Sequence, residues 1–330
     1  VAHNQAIGYD SFLIYTNDCD DGTDDIARRL DALGIASHVD NNDRPVGRKG
    51  RPASPQRHAL RGATRHERFQ DADWVICCDC DEFMNLRTGT SLPELVKASG
   101  PADAISVCWK LFGNGFRRHY EDVPVMEQFF HAAPEDGFNN YRGAGLKTLF
   151  RNNGAFHRMG VHRPNVDPDQ APAPENPYAH VTWRDAGGQA FDGARVGWRS
   201  WRGFSHAFAR MHHYAIRSCD SFLVKRDRGR TNHVLLDQGR DYFDAMNTNQ
   251  TRDDTMMRLV PGMLEARAKL LSDPVLGELH EHGVAWHRAK IEDIKSRADW
   301  GAFIDMVYSH PGVATRTKKE RLADAEAAKS

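Results

Sequence analysis

The sequence predicts an α/β fold: a mostly parallel sheet flanked by helices, with a helical C-terminal extension. Three observations carry that expectation. A strand, a helix and a second strand follow one another within the first 40 residues. An apolar run, Trp74 to Cys78, breaks off at three acids, Asp79, Asp81 and Glu82. From about residue 237 the pattern turns helical. The 330 residues suffice for one large domain or a domain with an appendage, and the expected division falls between 1–236 and 237–330.

Each element has a local reason. "SFLIYTN", residues 11–17, is rich in β-formers and ends at polar residues. In "DCDDGTDDIARRLDALG", Thr23 or Asp24 is placed to cap a helix that runs to about Leu33, and Gly34 suits its C-terminal stop. "ASHVDNN" reads as the second strand. The basic, Gly- and Pro-rich stretch 42–53 reads as a loop. Ser54 as N-cap and Pro55 at the first helical position open a helix that leads into "DWVICCD". "DAISVCWKLFG", residues 103–113, and "GLKTLFR" are further strands. "NVDPDQAPAPENPYAH" is a proline-rich surface loop. "FARMHHYAIRSCDSFLVKRDRGR" is a short strand running into a helix, and the charged tail "RTKKERLADAEAAKS" is expected to fray.

Composition narrows the function classes. Lys plus Arg is 44 against 45 Asp plus Glu, so the chain lacks the basic excess that bulk nucleic-acid or membrane-surface binding needs. No run approaches 18 apolar residues, and no stretch reads as a signal peptide. Three of the six cysteines crowd into "CCDC", without the second pair that a structural zinc site would require. Reduced thiols in a cytosolic protein are the simpler expectation.

The acidic strand end is the chemically distinctive feature. Ligands of open α/β sheets bind at the carboxyl ends of strands. Two aspartates separated by one residue can face one hard divalent cation, such as magnesium or manganese, which commonly bridges to phosphate oxygens. The same residues in a turn can instead cap backbone groups. The spacing alone leaves both readings open.

Several segments together resemble a known family. "ADWVICCDCDEFMNL" resembles the DxD strand of GT-A glycosyltransferases, most closely the branch related to glycosyltransferase families 2 and 92. In the same order, "YTNDCDDGTDDI" resembles the segment after the second strand, "ISVCWKLFGNGF" the W-x-x-F-G strand, "GLKTLFR" the K-x-x-x-R strand and "GVHRP" the H-x-P turn. "HHYAIRSCDSFLVKRDRG" resembles the closing H-Y-x-x-R-S segment. The resemblance covers roughly residues 1–235. It implies a GT-A, Rossmann-like catalytic domain over 1–236. Such domains begin with a strand ending in Asn-Glu, and the sequence is expected to start just after it.

The resemblance further implies a nucleotide-sugar donor of the UDP-sugar type, a glycan or lipid-linked acceptor, inversion at the sugar, and a divalent metal, manganese or magnesium. Asp81 maps to the direct metal ligand, with Asp79 beside it and His213 completing the site; His212 is the neighbour that could take its place. Arg217 and Lys225 map to cations for the departing diphosphate, and Asp18 and Asp20 to the uracil or ribose. Glu127 is the candidate general base, with Glu121 and Asp122 behind it. Trp109, Phe112, Asn114 and His162 are candidates for lining the sugar pocket, and Lys147 for a structural or donor-site cation. The resemblance also implies a bacterial enzyme of surface polysaccharide or lipopolysaccharide assembly, cytoplasmic or peripheral at the inner membrane face. Two other classes stay open: a carboxylate-pair glycoside hydrolase, and a non-catalytic nucleotide- or glycan-binding protein.

Overall fold

The computed structural model describes residues 1–46, 53–135, 141–166, 176–195, 197–201, 203–229 and 238–309. The chain begins with α1 (Ala2–Ala6), β1 (Leu13–Thr16), α2 (Thr23–Ala32), β2 (Ser37–Asp40), α3 (Pro55–Ala63) and α4 (Glu67–Gln70). Then come β3 (Trp74–Val75), β4 (Glu82–Leu86), α5 (Leu92–Ser99), β5 (Ala104–Leu111), α6 (Val125–Gln128), β6 (His131–Ala132) and β7 (Leu146–Arg151). β8 (Trp183–Asp185), β9 (Ala190–Phe191), β10 (Ala209–His213) and α7 (Cys219–Arg228) follow. The chain ends in α8 (Arg240–Met246), β11 (Thr251–Arg252), α9 (Val260–Leu271), α10 (Pro274–Ser296) and α11 (Gly301–Ser309).

The fold is α/β, and the strand–helix–strand opening forms as expected, with β1 and β2 paired in parallel. The main sheet departs from expectation. It is mixed rather than mostly parallel, in the order β3-β7-β5-β10-β4, with β8 and β9 attached. Only β8 and β10 run parallel to β5; the pairings of β5 with β7, β3 with β7, β10 with β4 and β8 with β9 are antiparallel. Helices still connect β2 to β3 and β4 to β5, but neither connection makes parallel neighbours of the strands it joins. The described part of the connection from β5 to β7 holds α6 and β6, and β4 is antiparallel to β10 despite the helix α5 that follows it.

β5 anchors this sheet. Every one of its residues is buried, so both faces are covered. β7 takes one edge from Ala104 to Cys108; β8 and β10 divide the other, β8 along Ala104–Ser106 and β10 along Trp109–Leu111. Where β10 ends beside β5, the incoming end of β4 lies on its other flank. Residues preceding β4 therefore meet residues closing β10, and that junction forms the candidate site.

Local expectations shift by small amounts. The cap of α2 is Gly22, in the left-handed region at φ +80, so Thr23 is already helical and donates its N–H to Asp21 Oδ1 at 2.9 Å. Gly34, at φ +71, stops that helix as expected. The run 74–79 pairs only through Trp74 and Val75. Of the expected loops, 47–52 and 167–175 lie outside the described residues, as does the charged tail.

The 236/237 boundary also lies outside the described residues, but residues 238–309 are largely helical and contribute to the same core as the sheet. Phe243, Met246, Met256, Leu259, Ile291 and Ile294 join Met84, Leu86, Val107, Leu111 and Met211 in one cluster. Polar contacts tie the segment as well. Asn247 Oδ1 accepts the Asn114 N–H at 2.7 Å, Asn249 Oδ1 accepts the Gly115 N–H at 2.9 Å, and the Thr248 hydroxyl donates to Leu111 O at 2.9 Å. No described helix is long and apolar enough to cross a membrane.

Two predictions follow from this packing. Phe243 is fully buried, and Phe243→Ala should lower the stability of a single cooperative urea transition by about 3–5 kcal/mol; a separate early transition for the C-terminal helices would contradict a shared core. His3 is buried, donates from Nε2 to Met84 O at 2.9 Å, and is brought down to about 4 by burial. The folded state holds it neutral, so its contribution is complete above its ordinary value near 6.5 and is lost as pH falls toward 4. That amounts to on the order of 3 kcal/mol, and the acid-side fall in stability should be shallower in His3→Gln when urea midpoints are compared at pH 7 and pH 4.5.

Candidate functional site

The acids sit in the connection from β3 to β4. A turn closes there, with the Glu82 N–H donating to Asp79 O at 3.1 Å. On the other strand, the Tyr214 N–H donates to Asp81 O at 2.9 Å, and His213 stands opposite Glu82 in register. The chain thereby brings Asp81 and His213 together across 132 positions of sequence: His213 Nε2 is 3.6 Å from Asp81 Oδ1. Strand alternation sends the neighbouring imidazole the other way. His212 is fully buried, contacts Asn85 Nδ2 at 3.1 Å, lies 3.9 Å from Asp253, and is brought down to about 3 by burial. Of the two histidines, His213 alone faces the acids.

Lys225, from α7, completes the group. Its ammonium donates to Asp81 Oδ2 at 2.7 Å and to Ala215 O at 2.8 Å. Burial works to raise the Asp81 carboxyl, but Lys225 and then His213 outweigh it and hold Asp81 well below the usual carboxylate range. Lys225 is therefore Asp81's counter-ion.

A second, buried group lies beside the first. Lys147 is fully enclosed, 3.1 Å from Asp79 Oδ2 and 3.2 Å from Glu82 Oε2. Burial opposes its charge, but Glu82 and Asp79 hold the ammonium above its ordinary value. One cation serves two carboxylates, and the buried one yields: burial pushes Glu82 up to about 7 against the pull of Lys147. Asp79 also accepts from Gln56 Nε2 at 3.3 Å. Both of its oxygens are thus engaged, and no described contact joins it to Asp81 or His213.

The remaining expected residues divide. Arg217 lies just before the Ser218 cap of α7, in the left-handed region at φ +61, and its Nε is buried without a partner. Such a conformation costs of order 1–3 kcal/mol outside glycine. Trp109 lies between two imidazoles, with ring centroids 4.5 Å from His213 and 5.6 Å from His162. Phe112 and Asn114 are committed to structure: Phe112 packs between His212 and Tyr214, and Asn114 is held by Asn247 and Asn249.

Asp18 and Asp20 are exposed. Asp18 accepts from Asn17 and Arg44 in a turn at φ +51, and neither aspartate has a described contact with Asp79, Asp81 or His213. Glu127 is half-buried on the single turn of α6, and no described contact joins it to the acidic group either. Glu121 pairs with Arg117, while Asp122 meets His280 and Arg267 of the C-terminal helices.

Glu82 and Gln56 were not assigned roles from sequence. Glu82 is visible there as the third acid of the run, but its pairing with Lys147 of β7 joins residues far apart in the chain and has no local signal. Nothing in the sequence marks Gln56.

Asp81 and His213 suit a shared divalent ion by donor chemistry, an oxygen and an imidazole nitrogen, and their 3.6 Å separation is within the reach of two ligands each about 2.1 Å from one ion. Among the described residues no three His, Cys, Asp or Glu side chains converge as a metal-binding group. The six cysteines are free thiols. The sequence matches no protein-family model and no curated protein.

Lys225→Met should leave Asp81 as an uncompensated, largely buried charge and cost about 3–5 kcal/mol in chemical denaturation. The double variant Lys225→Met, Asp81→Asn should recover much of that loss. Additive single effects would mean that the pair is not coupled.

Proposed function

We propose that the protein is a metal-dependent glycosyltransferase of the GT-A type, transferring a sugar from a UDP-sugar donor to a glycan or lipid-linked acceptor. The observation that carries this reading is the meeting of Asp81 with His213, backed by Lys225 and flanked by the strained Arg217, at the β4–β10 junction. The order of the sequence motifs anticipates that meeting from residues far apart in the chain.

Asp81 and His213 would hold the ion, with magnesium or manganese both compatible with the donor set. When bound, the ion supplies Lewis-acid stabilisation of the charge that develops on the departing diphosphate. The protein's own residues do the rest. Lys225 keeps Asp81 ionised and oriented by a 2.7 Å hydrogen bond. Lys147 fixes the turn through Asp79 and Glu82, so the carboxylates stay aligned without moving during the reaction. Arg217 supplies an unpaired N–H for a phosphate oxygen. Glu127 is the base proposed to take the acceptor proton; its carboxylate enters no described ion pair, so it is not spent on structure.

One observation favours a variant of this reading without a metal: both lysines already neutralise the acidic turn. The same experiment separates the two. UDP should raise the melting temperature with manganese and lose that effect in EDTA, since a ligand selective for the folded state stabilises it. The double variant Asp81→Asn, Lys225→Met, which leaves neither charge buried alone, should fold but lose the manganese-dependent increment. Stabilisation by UDP that ignores EDTA would favour the lysine-only site, and no response to UDP under either condition would overturn the donor assignment.

A further inference from the structure

His162 is the residue of the site whose chemistry is left uncommitted by the contacts around it. It lies in the bend that follows β7, one indole away from His213. Its Nδ1–H donates to Leu146 O at 3.0 Å. A carbonyl can only accept, so the ring is fixed as the Nδ1–H tautomer and Nε2 is left as a lone-pair acceptor. Trp109 packs directly on Gly145, so close that even a Cβ there would overlap the ring. Burial first and Lys147 second bring His162 down to about 4, so the acceptor persists at neutral pH.

We infer that His162 is a specificity-determining residue, accepting a hydrogen bond from a hydroxyl or amide N–H of a neutral donor sugar and discriminating against a sugar that carries a carboxylate. This rests on the glycosyltransferase reading above. A neutral acceptor nitrogen rewards an O–H or N–H donor. It sets a lone pair against a carboxylate oxygen, and the nearby lysine cannot relieve that repulsion, because Lys147 is fully enclosed and engaged by Asp79 and Glu82. Phe112 and Asn114, held in their own contacts, do not supply an alternative.

The test is calorimetric titration, with manganese, of UDP, of three neutral donors (UDP-glucose, UDP-galactose and UDP-N-acetylglucosamine) and of UDP-glucuronate. In the parent protein at least one neutral donor should bind more tightly than UDP, and UDP-glucuronate should not. His162→Phe should leave UDP affinity unchanged and reduce the sugar-dependent gain by about fivefold to tenfold, the worth of one neutral hydrogen bond. His162→Gln, which keeps an acceptor, should retain most of the gain. An undiminished gain in His162→Phe, or a gain for UDP-glucuronate equal to that of the neutral donors, would overturn the inference. Failure of the parent to bind UDP at all would instead overturn the reading on which it rests.

Discussion

The structure depends on the ion pair between Lys225 and Asp81. Lys225 comes from α7, Asp81 from the turn before β4, and the two are 144 positions apart. A buried carboxylate without a partner would be forced neutral or would unfold its surroundings. With the partner present, Asp81 stays charged in a largely enclosed place, and its second oxygen is left facing His213. The pair therefore does two things at once. It docks α7 on the sheet, and it leaves a charged oxygen turned toward His213.

Lys147 plays a parallel part with a different outcome. It stands between Asp79 and Glu82, and one positive charge cannot satisfy both acids equally. Asp79 is partly exposed, whereas the enclosed Glu82 is pushed toward neutrality. Three acids within four residues thus acquire three different environments. That separation comes from burial and partner rather than from residue type.

Much of this was legible in the chain. β5, β7, β10 and α7 announce themselves as apolar runs with plausible ends, and the DxD spacing singled out Asp81. The histidine pair could be narrowed only in part: strand alternation says that His212 and His213 face opposite ways, but not which way each one faces. The orientation of β4 against β10 decides that, and strand pairing is a long-range property with little local signature. The same blindness explains the sheet's mixed character, the role of Glu82 and the counter-ion role of Lys225, which sequence placed at the diphosphate. Gly22 displacing Thr23 as the cap of α2 is a smaller case, since a left-handed glycine starts the helix one residue earlier than a threonine cap would.

The Asn247–Asn249 stretch bears on how such a chain can be cut or recombined. Its side chains and the Thr248 carbonyl receive the amide protons of Gly113, Asn114 and Gly115, directly downstream of the central strand. Amides in so buried a corner need such acceptors, and the Gly113 N–H is shared with His131 O at 3.0 Å. Exchanging the helical portion for an unrelated tail, or expressing the first 236 residues alone, would strip the loop beside His213 of these hydrogen bonds.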